Sequence, residues 1–207
     1  MSADIVVLDY GAGNVHSALR AVERAGATAQ LTADLDRALT ADGLLVPGVG
    51  AFAAVMDALE SAGAVEVIRT RHREQRPMLG ICVGMQVLYT SGTEHGLTTA
   101  GIGLWEGNVT RLDAPVLPHM GWNTVSAAPG SQMFAGIADE RFYFVHTYAA
   151  TEAPAGAAVT TCTLDRPFIA AVEDGTTWAT QFHPEKSGHA GTTLLANWIQ
   201  ALSAAQK

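Results

Sequence analysis

The chain has 207 residues, 48% of them hydrophobic, and a formal net charge of −8 at pH 7. This length and apolar content are ample for a single domain over residues 1–207, and acidity without a basic stripe argues against nucleic acid and anionic membranes as partners. The chain has two cysteines, no recognisable secretory leader and no apolar run long enough to cross a bilayer. We therefore expect a cytoplasmic protein with reduced thiols that acts on small molecules or other proteins.

The first part of the chain alternates strand and helix signals. A near-continuous apolar run, typical of a buried parallel strand, lies at residues 5–8, and further strands are predicted at 27–31, 44–46 and 78–81. Apolar spacing and glycine stop signals predict helices after Asn14 and at 32–39, 52–62 and 65–74. Repeated units of this kind predict an α/β fold with a mostly parallel central sheet flanked by helices, and with functional groups at the carboxyl ends of the strands.

The sequence GICVGMQ at residues 80–86 has the pattern of a nucleophile elbow, in which a strand turns sharply into a helix. Gly80 and Gly84 stand two residues on either side of Cys82, where neighbouring backbone passes closely in such elbows. The free N–H groups at the start of the helix favour a negatively charged sulfur. Cys82 is therefore a candidate nucleophile, and the alternative is a buried structural cysteine beside two packing glycines.

The second part of the chain has mostly β signals. Glycines interrupt residues 92–107, which lack periodicity, and predict a functional loop or an irregular connector there. Strands are predicted at 142–145, 158–163, 168–173 and 178–182. A tight hairpin turn is predicted at Asp174-Gly175 and a closing helix after His189. The prediction therefore adds an antiparallel β extension to the parallel sheet.

A nucleophilic cysteine needs a base, and the triplet His183-Pro184-Glu185 supplies a candidate. Pro184 biases His183 toward an extended backbone, in which residues i and i+2 point the same way. The Glu185 carboxylate is then within reach of the imidazole, where it would fix the tautomer and stabilise the charged ring. The alternative is a surface turn. Because the spacings of zinc proteases and zinc deaminases do not occur, no metal is expected.

Taken together, the motif at 80–86 and the His-Pro-Glu triplet resemble the class I glutamine amidotransferases, and the fold this implies is flavodoxin-like. Further motifs are similar to the glutaminase subunits of imidazole glycerol phosphate synthase within that family. In chain order they are residues 9–14 (DYGAGN), 47–50 (PGVG), 119–123 (HMGWN), 144–148 (FVHTY) and 181–188 (QFHPEKSG). Their order and spacing cover nearly the whole chain.

The resemblance implies that Cys82 attacks the side-chain amide of glutamine, that His183 carries the proton to the leaving ammonia, and that Glu185 completes the triad without any cofactor. The oxyanion donors would be backbone N–H groups of Val83 and of the Gly48-Val49 turn, since elbow enzymes draw one donor from each loop. The implied substrate-binding residues are Gln86, Gly50, Thr147, Tyr148 and Tyr143. The spacing of Gln86 from the cysteine is equally consistent with helix capping or packing.

By the same resemblance, ammonia passes to a separate cyclase subunit, a β/α barrel that forms a heterodimer with this chain in histidine biosynthesis. Asn14, Trp122 and Lys186 are the implied interface residues; their plain alternatives are a helix cap, a core aromatic and a solvated charge. No P-loop or dinucleotide fingerprint is present, so the phosphorylated substrate is expected on the partner. Two other classes remain open: a stand-alone cysteine hydrolase or peptidase, and a non-catalytic binding module.

Overall fold

The first part of the chain folds into the predicted alternation of strands and helices. The computed structural model describes residues 2–11 and 15–205, so the predicted interface residue Asn14 lies outside the described residues. The elements are β1 (Asp4–Leu8), α1 (Val15–Arg24), β2 (Thr28–Thr32), α2 (Leu35–Thr40), β3 (Gly43–Gly48), α3 (Phe52–Ser61), α4 (Ala64–Arg73), β4 (Met78–Cys82) and α5 (Val83–Gln86). The strand predictions succeed because β3 and β4 are buried along their whole length, as continuous apolar runs require.

The second part of the chain is mostly β and ends in a long helix. Its elements are β5 (Tyr89–Glu94), β6 (Leu97–Ala100), β7 (Trp105–Arg111), β8 (His119–Thr124), β9 (Arg141–His146), β10 (Tyr148–Ala149), β11 (Ala158–Thr163), β12 (Pro167–Asp174), β13 (Thr177–Thr180) and α6 (Gly188–Ala205), with a turn of 3-10 helix at Pro184–Lys186.

The prediction of an irregular segment over residues 92–107 was wrong. Strands β5 and β6 form an antiparallel hairpin, and β7 pairs in parallel with β5. The glycines serve close packing instead: a Cβ at Gly92 would press into the ring of Phe52, and one at Gly101 would overlap the carbonyl oxygen of Tyr89. Glycines required by packing look the same in sequence as glycines of a loop, and this is why the segment was misread.

The described strands include a seven-stranded sheet in the order β11-β12-β13-β4-β3-β1-β2. The strands from β13 to β2 pair in parallel, whereas β11, β12 and β13 pair antiparallel as the predicted extension. The order reverses between β1 and β3, and ligands of open α/β sheets bind near such a reversal, beyond the carboxyl ends of the strands. Strand β3 ends there at Gly48, and β4 ends beside it at Cys82.

The helices and the smaller sheets pack around this central sheet. Helix α1 packs against α6, while α2 and α3 both pack against α4. Strands β10, β7, β5 and β6 form a second sheet, and β8 pairs with β9 in a two-stranded ribbon. Within the described residues, no helix is long and apolar enough to cross a membrane.

Candidate active site

Cys82 ends β4 and opens the turn into α5 with a backbone φ of +57°. Non-glycine residues rarely adopt a positive φ, and strain of this kind is typical of functional turns. The turn packs tightly on β3, since a Cβ at Gly84 would overlap the carbonyl oxygen of Val46. A Cβ at Gly80 would lie 2.7 Å from the carbonyl oxygen of Gly84. Both glycines thus have the packing role that the elbow pattern predicts.

His183 and Glu185 form a buried pair, with 2.7 Å between Nδ1 and Oε1 and side chains only 3% and 5% exposed. The local cause differs from the predicted one. His183 is extended, but Pro184–Lys186 forms a turn of 3-10 helix, so the carboxylate folds back onto the ring. The His183 N–H donates to the Tyr143 carbonyl, and Ser187 Oγ donates to the His183 carbonyl. The surface-turn alternative is therefore excluded by burial.

The two cysteines differ in the charged groups around them: Cys82 has the imidazole of His183 beside it, whereas Cys162 is buried in a strand. Burial alone would lower the pKa of His183, but hydrogen bonds and Coulomb attraction from Cys82 and Glu185 raise it to about 9 from an ordinary 6.5. A charged imidazolium beside Cys82 is therefore favoured while the sulfur is negative. Cys162 lies buried in β11, where burial raises the pKa of its thiol to about 12 and makes it a poor nucleophile.

Cys82 and His183 open onto one cavity of about 310 Å³. The sequence-predicted residues on its wall are Cys82, Val83, Gln86, Val49, Gly50, Thr147, Tyr148, His183 and Lys186. Three further wall residues were not predicted as site residues: Glu94, Val145 and His146. Gly48 and Glu185 border a small space behind His183. The volume is at the lower end of the range for small-molecule sites, and suits a single amino acid.

The turn at residues 48–50 lies directly beside Cys82, the candidate nucleophile, because Gly48 pairs with Cys82 across β3 and β4. A side chain at Gly48 would collide with the backbone of Gly84, so only glycine permits this approach. Gly50 has a φ of +96°, and Val49 between the two glycines is 39% exposed. The two segments predicted to supply oxyanion donors are thus adjacent.

Two buried amides connect the cavity wall to the sulfur. Gln86 Nε2 donates to the carbonyl of Tyr148 at 2.8 Å and to Oε1 of Gln181 at 3.0 Å. Gln181 Nε2 then donates to Cys82 Sγ at 3.7 Å. Gln181 was not predicted as a site residue, although it stands two residues before His183.

Glu94 places a carboxylate on the cavity wall. Its Oε2 accepts a hydrogen bond from the backbone N–H of Phe52 at the start of α3, at 3.1 Å. Glu94 lies on β5, inside the segment predicted as an irregular loop. Its role as a wall residue was missed because only the hairpin brings it to the cavity.

Three of the predicted residues cluster at the rim of the cavity. Trp122 is 52% exposed and lies edge-to-face with Tyr143 at 6.0 Å, so it is not a core aromatic. Lys186 Nζ lies 6.0 Å from the centre of the same tyrosine ring. Tyr143 is off the cavity wall and packs between these two side chains. Met120 is also exposed and lies two residues from Trp122 on the same strand, and we refer to Met120, Trp122, Tyr143 and Lys186 as the rim.

A second cavity, of about 360 Å³, lies at the opposite ends of the parallel strands near Pro77 and Thr176. Its wall includes Trp178 and Trp198 but neither a cysteine nor a histidine. This cavity therefore lacks the Cys–His pairing that the cavity at Cys82 has.

The comparisons with known proteins agree with this geometry. The sequence profile of "Glutamine amidotransferase class-I" matches residues 6–201. A solved structure titled "Crystal structure of glutamine amidotransferase" has a TM-score of 0.76 at 19% identity, covering 97% of this chain and 98% of that one, which supports the fold.

Among curated relatives, the imidazole glycerol phosphate synthase subunit HisH of Mycobacterium bovis is 56% identical over 201 residues, covering 96% of this chain and 98% of the relative. The protein of the same name from Streptomyces avermitilis is 56% identical over 207 residues, covering 96% of each chain. The chain belongs to the class-I glutamine amidotransferase family, and within it to the HisH subunits of imidazole glycerol phosphate synthase.

Proposed function

We propose that this protein is the glutaminase subunit of imidazole glycerol phosphate synthase. It hydrolyses glutamine to glutamate and ammonia and delivers the ammonia to a cyclase subunit, which makes imidazole glycerol phosphate and an aminoimidazole carboxamide ribonucleotide in histidine biosynthesis. The observation that carries the proposal is Cys82, on a strained elbow, sharing a cavity with the buried His183–Glu185 pair in a chain 56% identical to HisH subunits.

The reaction that we propose uses Cys82 and His183 as a thiolate–imidazolium pair, in line with the raised pKa of His183. The Cys82 thiolate attacks the side-chain amide carbon of glutamine, forming a C–S bond and a tetrahedral oxyanion. The His183 imidazolium gives its proton to the amide nitrogen, ammonia leaves, and a thioester remains. Water then attacks the thioester while His183 takes its proton, the C–S bond breaks, and glutamate departs as the thiolate–imidazolium pair is restored. Glu185 orients the imidazole throughout.

The negative oxygen of each intermediate needs backbone donors. We assign these to the N–H of Val83, directly after the nucleophile, and to an N–H of the Gly48-Val49 turn. The register between β3 and β4 supports this assignment, because it sets the turn beside Cys82. Donors of this kind typically change rates by about 10²–10³-fold each.

The remaining wall residues account for the binding of a free amino acid. The carboxylate of Glu94 suits the substrate's α-ammonium group, while Gln86, Gly50, Thr147 and Tyr148 supply amide, hydroxyl and backbone groups around it. A cavity of about 310 Å³ leaves little room for a peptide or a large ester. This argues against the stand-alone peptidase alternative.

The partner that we propose is a β/α-barrel cyclase, bound as a heterodimer over the mouth of the site and in the cytoplasm. Exposed Trp122 and Met120 offer apolar surface at this rim, and Lys186, which lies over the same Tyr143 ring that Trp122 contacts, adds one positive charge. Asn14 stays a proposed contact on the strength of its motif. A partner at this rim would receive ammonia without its release to solvent.

The test measures glutamate release by the isolated chain, by the complex with the cyclase, and by the complex with a nucleotide ligand of the cyclase. We expect slow turnover alone and the fastest turnover with both partner and ligand. Loss of turnover in Cys82→Ala, with synthesis from added ammonium salts retained, assigns the chemistry to this site. Hydrolysis of esters or peptides but not glutamine would overturn the proposal, and no turnover in any arm would favour the binding-module alternative.

A further inference from the structure

We propose that His146 and His119 are positioning residues of the glutaminase reaction, acting through the backbone carbonyl of Tyr148 on the amide that faces the sulfur of Cys82. The inference rests on the proposed function and concerns how the site holds its nucleophile. It is carried by one hydrogen-bonded chain that runs from the sulfur to strand β8.

The first arm of the chain leads from the Tyr148 carbonyl to the sulfur. A carbonyl oxygen only accepts hydrogen bonds, so the Gln86 atom 2.8 Å away must be the amide nitrogen. The second N–H of that nitrogen meets Oε1 of Gln181 at 3.0 Å. The orientation of Gln181 is thereby fixed as well, and its N–H groups face Cys82 Sγ at 3.7 Å. A donor at this place stabilises negative charge on the sulfur.

The second arm leads from the same carbonyl to the ribbon of β8 and β9. His146 Nδ1 lies 3.0 Å from the Tyr148 oxygen and must carry its proton there, which leaves Nε2 as an acceptor. His119 Nδ1 lies 3.1 Å from that Nε2 and therefore donates to it. His119 Nε2 is then an acceptor, 3.4 Å from Nδ2 of Asn123.

Charge supports this tautomer arrangement. Burial lowers the pKa of His119 and brings the pKa of His146 to about 3, so both rings are neutral at neutral pH. Protonation of both rings would set two N–H groups against each other at the contact between them. Every donor and acceptor in the chain is thus determined by the single carbonyl of Tyr148.

Packing alone does not explain these two histidines. The His119 ring stacks on Phe144 at 4.8 Å, and His146 lies edge-on to Phe168 at 5.0 Å, contacts that a phenylalanine would make equally well. A phenylalanine at residue 146 could not donate a hydrogen bond to the Tyr148 oxygen, whereas a nitrogen heterocycle or an amide can. Without that donor the Tyr148 carbonyl is held by Gln86 alone, so the position of the carbonyl is less tightly set. The two amides that depend on it, and the distance from the Gln181 N–H groups to the sulfur, are then less tightly set as well.

The test compares two substitutions of one residue in the complex with the cyclase. His146→Phe keeps the ring and loses the donor, whereas His146→Asn loses the ring and keeps an amide N–H near the place of Nδ1. A packing role predicts that both stability and turnover follow the order phenylalanine above asparagine. The positioning role predicts the opposite order for turnover.

We expect His146→Phe to lower kcat roughly tenfold, as loss of one buried hydrogen bond near a charge implies, with KM changing less. His146→Asn should retain most of kcat despite a lower melting temperature. A second readout needs no glutamine: the rate at which iodoacetamide alkylates Cys82, followed by mass spectrometry, should fall in the phenylalanine variant only. The matched control is the same pair of substitutions at His72, which bonds Thr177 on a different element, and both should react as the wild type does.

The two possible failures are distinguishable. A wild-type complex without glutaminase activity would overturn the proposed function. An active wild type whose His146→Phe turns over as fast as His146→Asn, or faster, would overturn the positioning role and leave the glutaminase standing.

Discussion

Replacing Glu185 with glutamine tests how much of the reaction depends on the charge behind the imidazole. The amide oxygen of glutamine still accepts the hydrogen bond from His183 Nδ1, which is 2.7 Å long in the wild type. Geometry is thus retained and only the negative charge is removed. The change isolates electrostatics from orientation.

The expected magnitude follows from the pKa of His183. Its rise from 6.5 to about 9 corresponds to about 3 kcal/mol in favour of the imidazolium, shared between Cys82 and Glu185. Cys82 is the larger of the two causes and Glu185 the second, so loss of the carboxylate is expected to cost on the order of 1–2 kcal/mol, or roughly tenfold in the charged population. Because attack by the Cys82 thiolate and departure of ammonia both start from the charged ring, we expect kcat/KM for glutamine to fall by about 10- to 100-fold.

Glutamate release by the complex with cyclase and nucleotide ligand gives this number directly. Synthesis from ammonium salts should be unchanged, since it bypasses the site. The control Glu60→Gln removes an exposed carboxylate on α3 and should behave as wild type. If kcat/KM of Glu185→Gln were within twofold of the wild-type value, the reasoning would be refuted and the triad would reduce to a dyad. His183→Ala should abolish glutaminase turnover in either case.

Three further predictions follow from buried groups. A diazoketone analogue of glutamine should label Cys82 and spare Cys162, whose thiol pKa of about 12 leaves it protonated; mass spectrometry of the labelled peptides decides this. Arg71 is fully buried and donates to several backbone carbonyls. Arg71→Met should therefore lower the free energy of unfolding by about 3–5 kcal/mol in urea titrations. The control Arg73→Met, on the exposed face of the same helix, should lower it by less than about 0.5 kcal/mol. The raised pKa of His183 means that the folded state binds the proton more tightly, so its stabilisation is complete below pH 6.5 and lost as pH rises toward about 9. Urea titrations across that range should show a smaller loss in the variant that lacks the neighbouring carboxylate, and equal losses would contradict the assignment.

Local signals were enough to predict the parallel strands and the elbow. The runs at β3 and β4 are apolar because both faces of those strands are buried, and the glycines around Cys82 are required by backbone contact within one strand-turn-helix unit. Such information lies within a short stretch of sequence.

The missed features depend on contacts between distant residues. Gln181 reaches the sulfur of Cys82 because β13 pairs with β4, and Glu94 reaches the cavity because the hairpin folds over α3. For Gln181 a local signal did exist, since it stands two residues from His183 in an extended segment. His146 is buried and hydrogen-bonded, as a core histidine would be. Its partner across the ribbon, His119, is distant in sequence, so no local pattern predicts the contact.

The position of β13 within the sheet also sets the order in which the protein becomes competent during synthesis. This strand inserts between β4 and β12, although β4 is made long before it. The ribosome therefore releases Cys82, the proposed nucleophile, before the proposed base and its carboxylate have been translated. On this assignment, a chain that stops before His183 has the cysteine without its proton carrier, and we expect it to release no ammonia from glutamine.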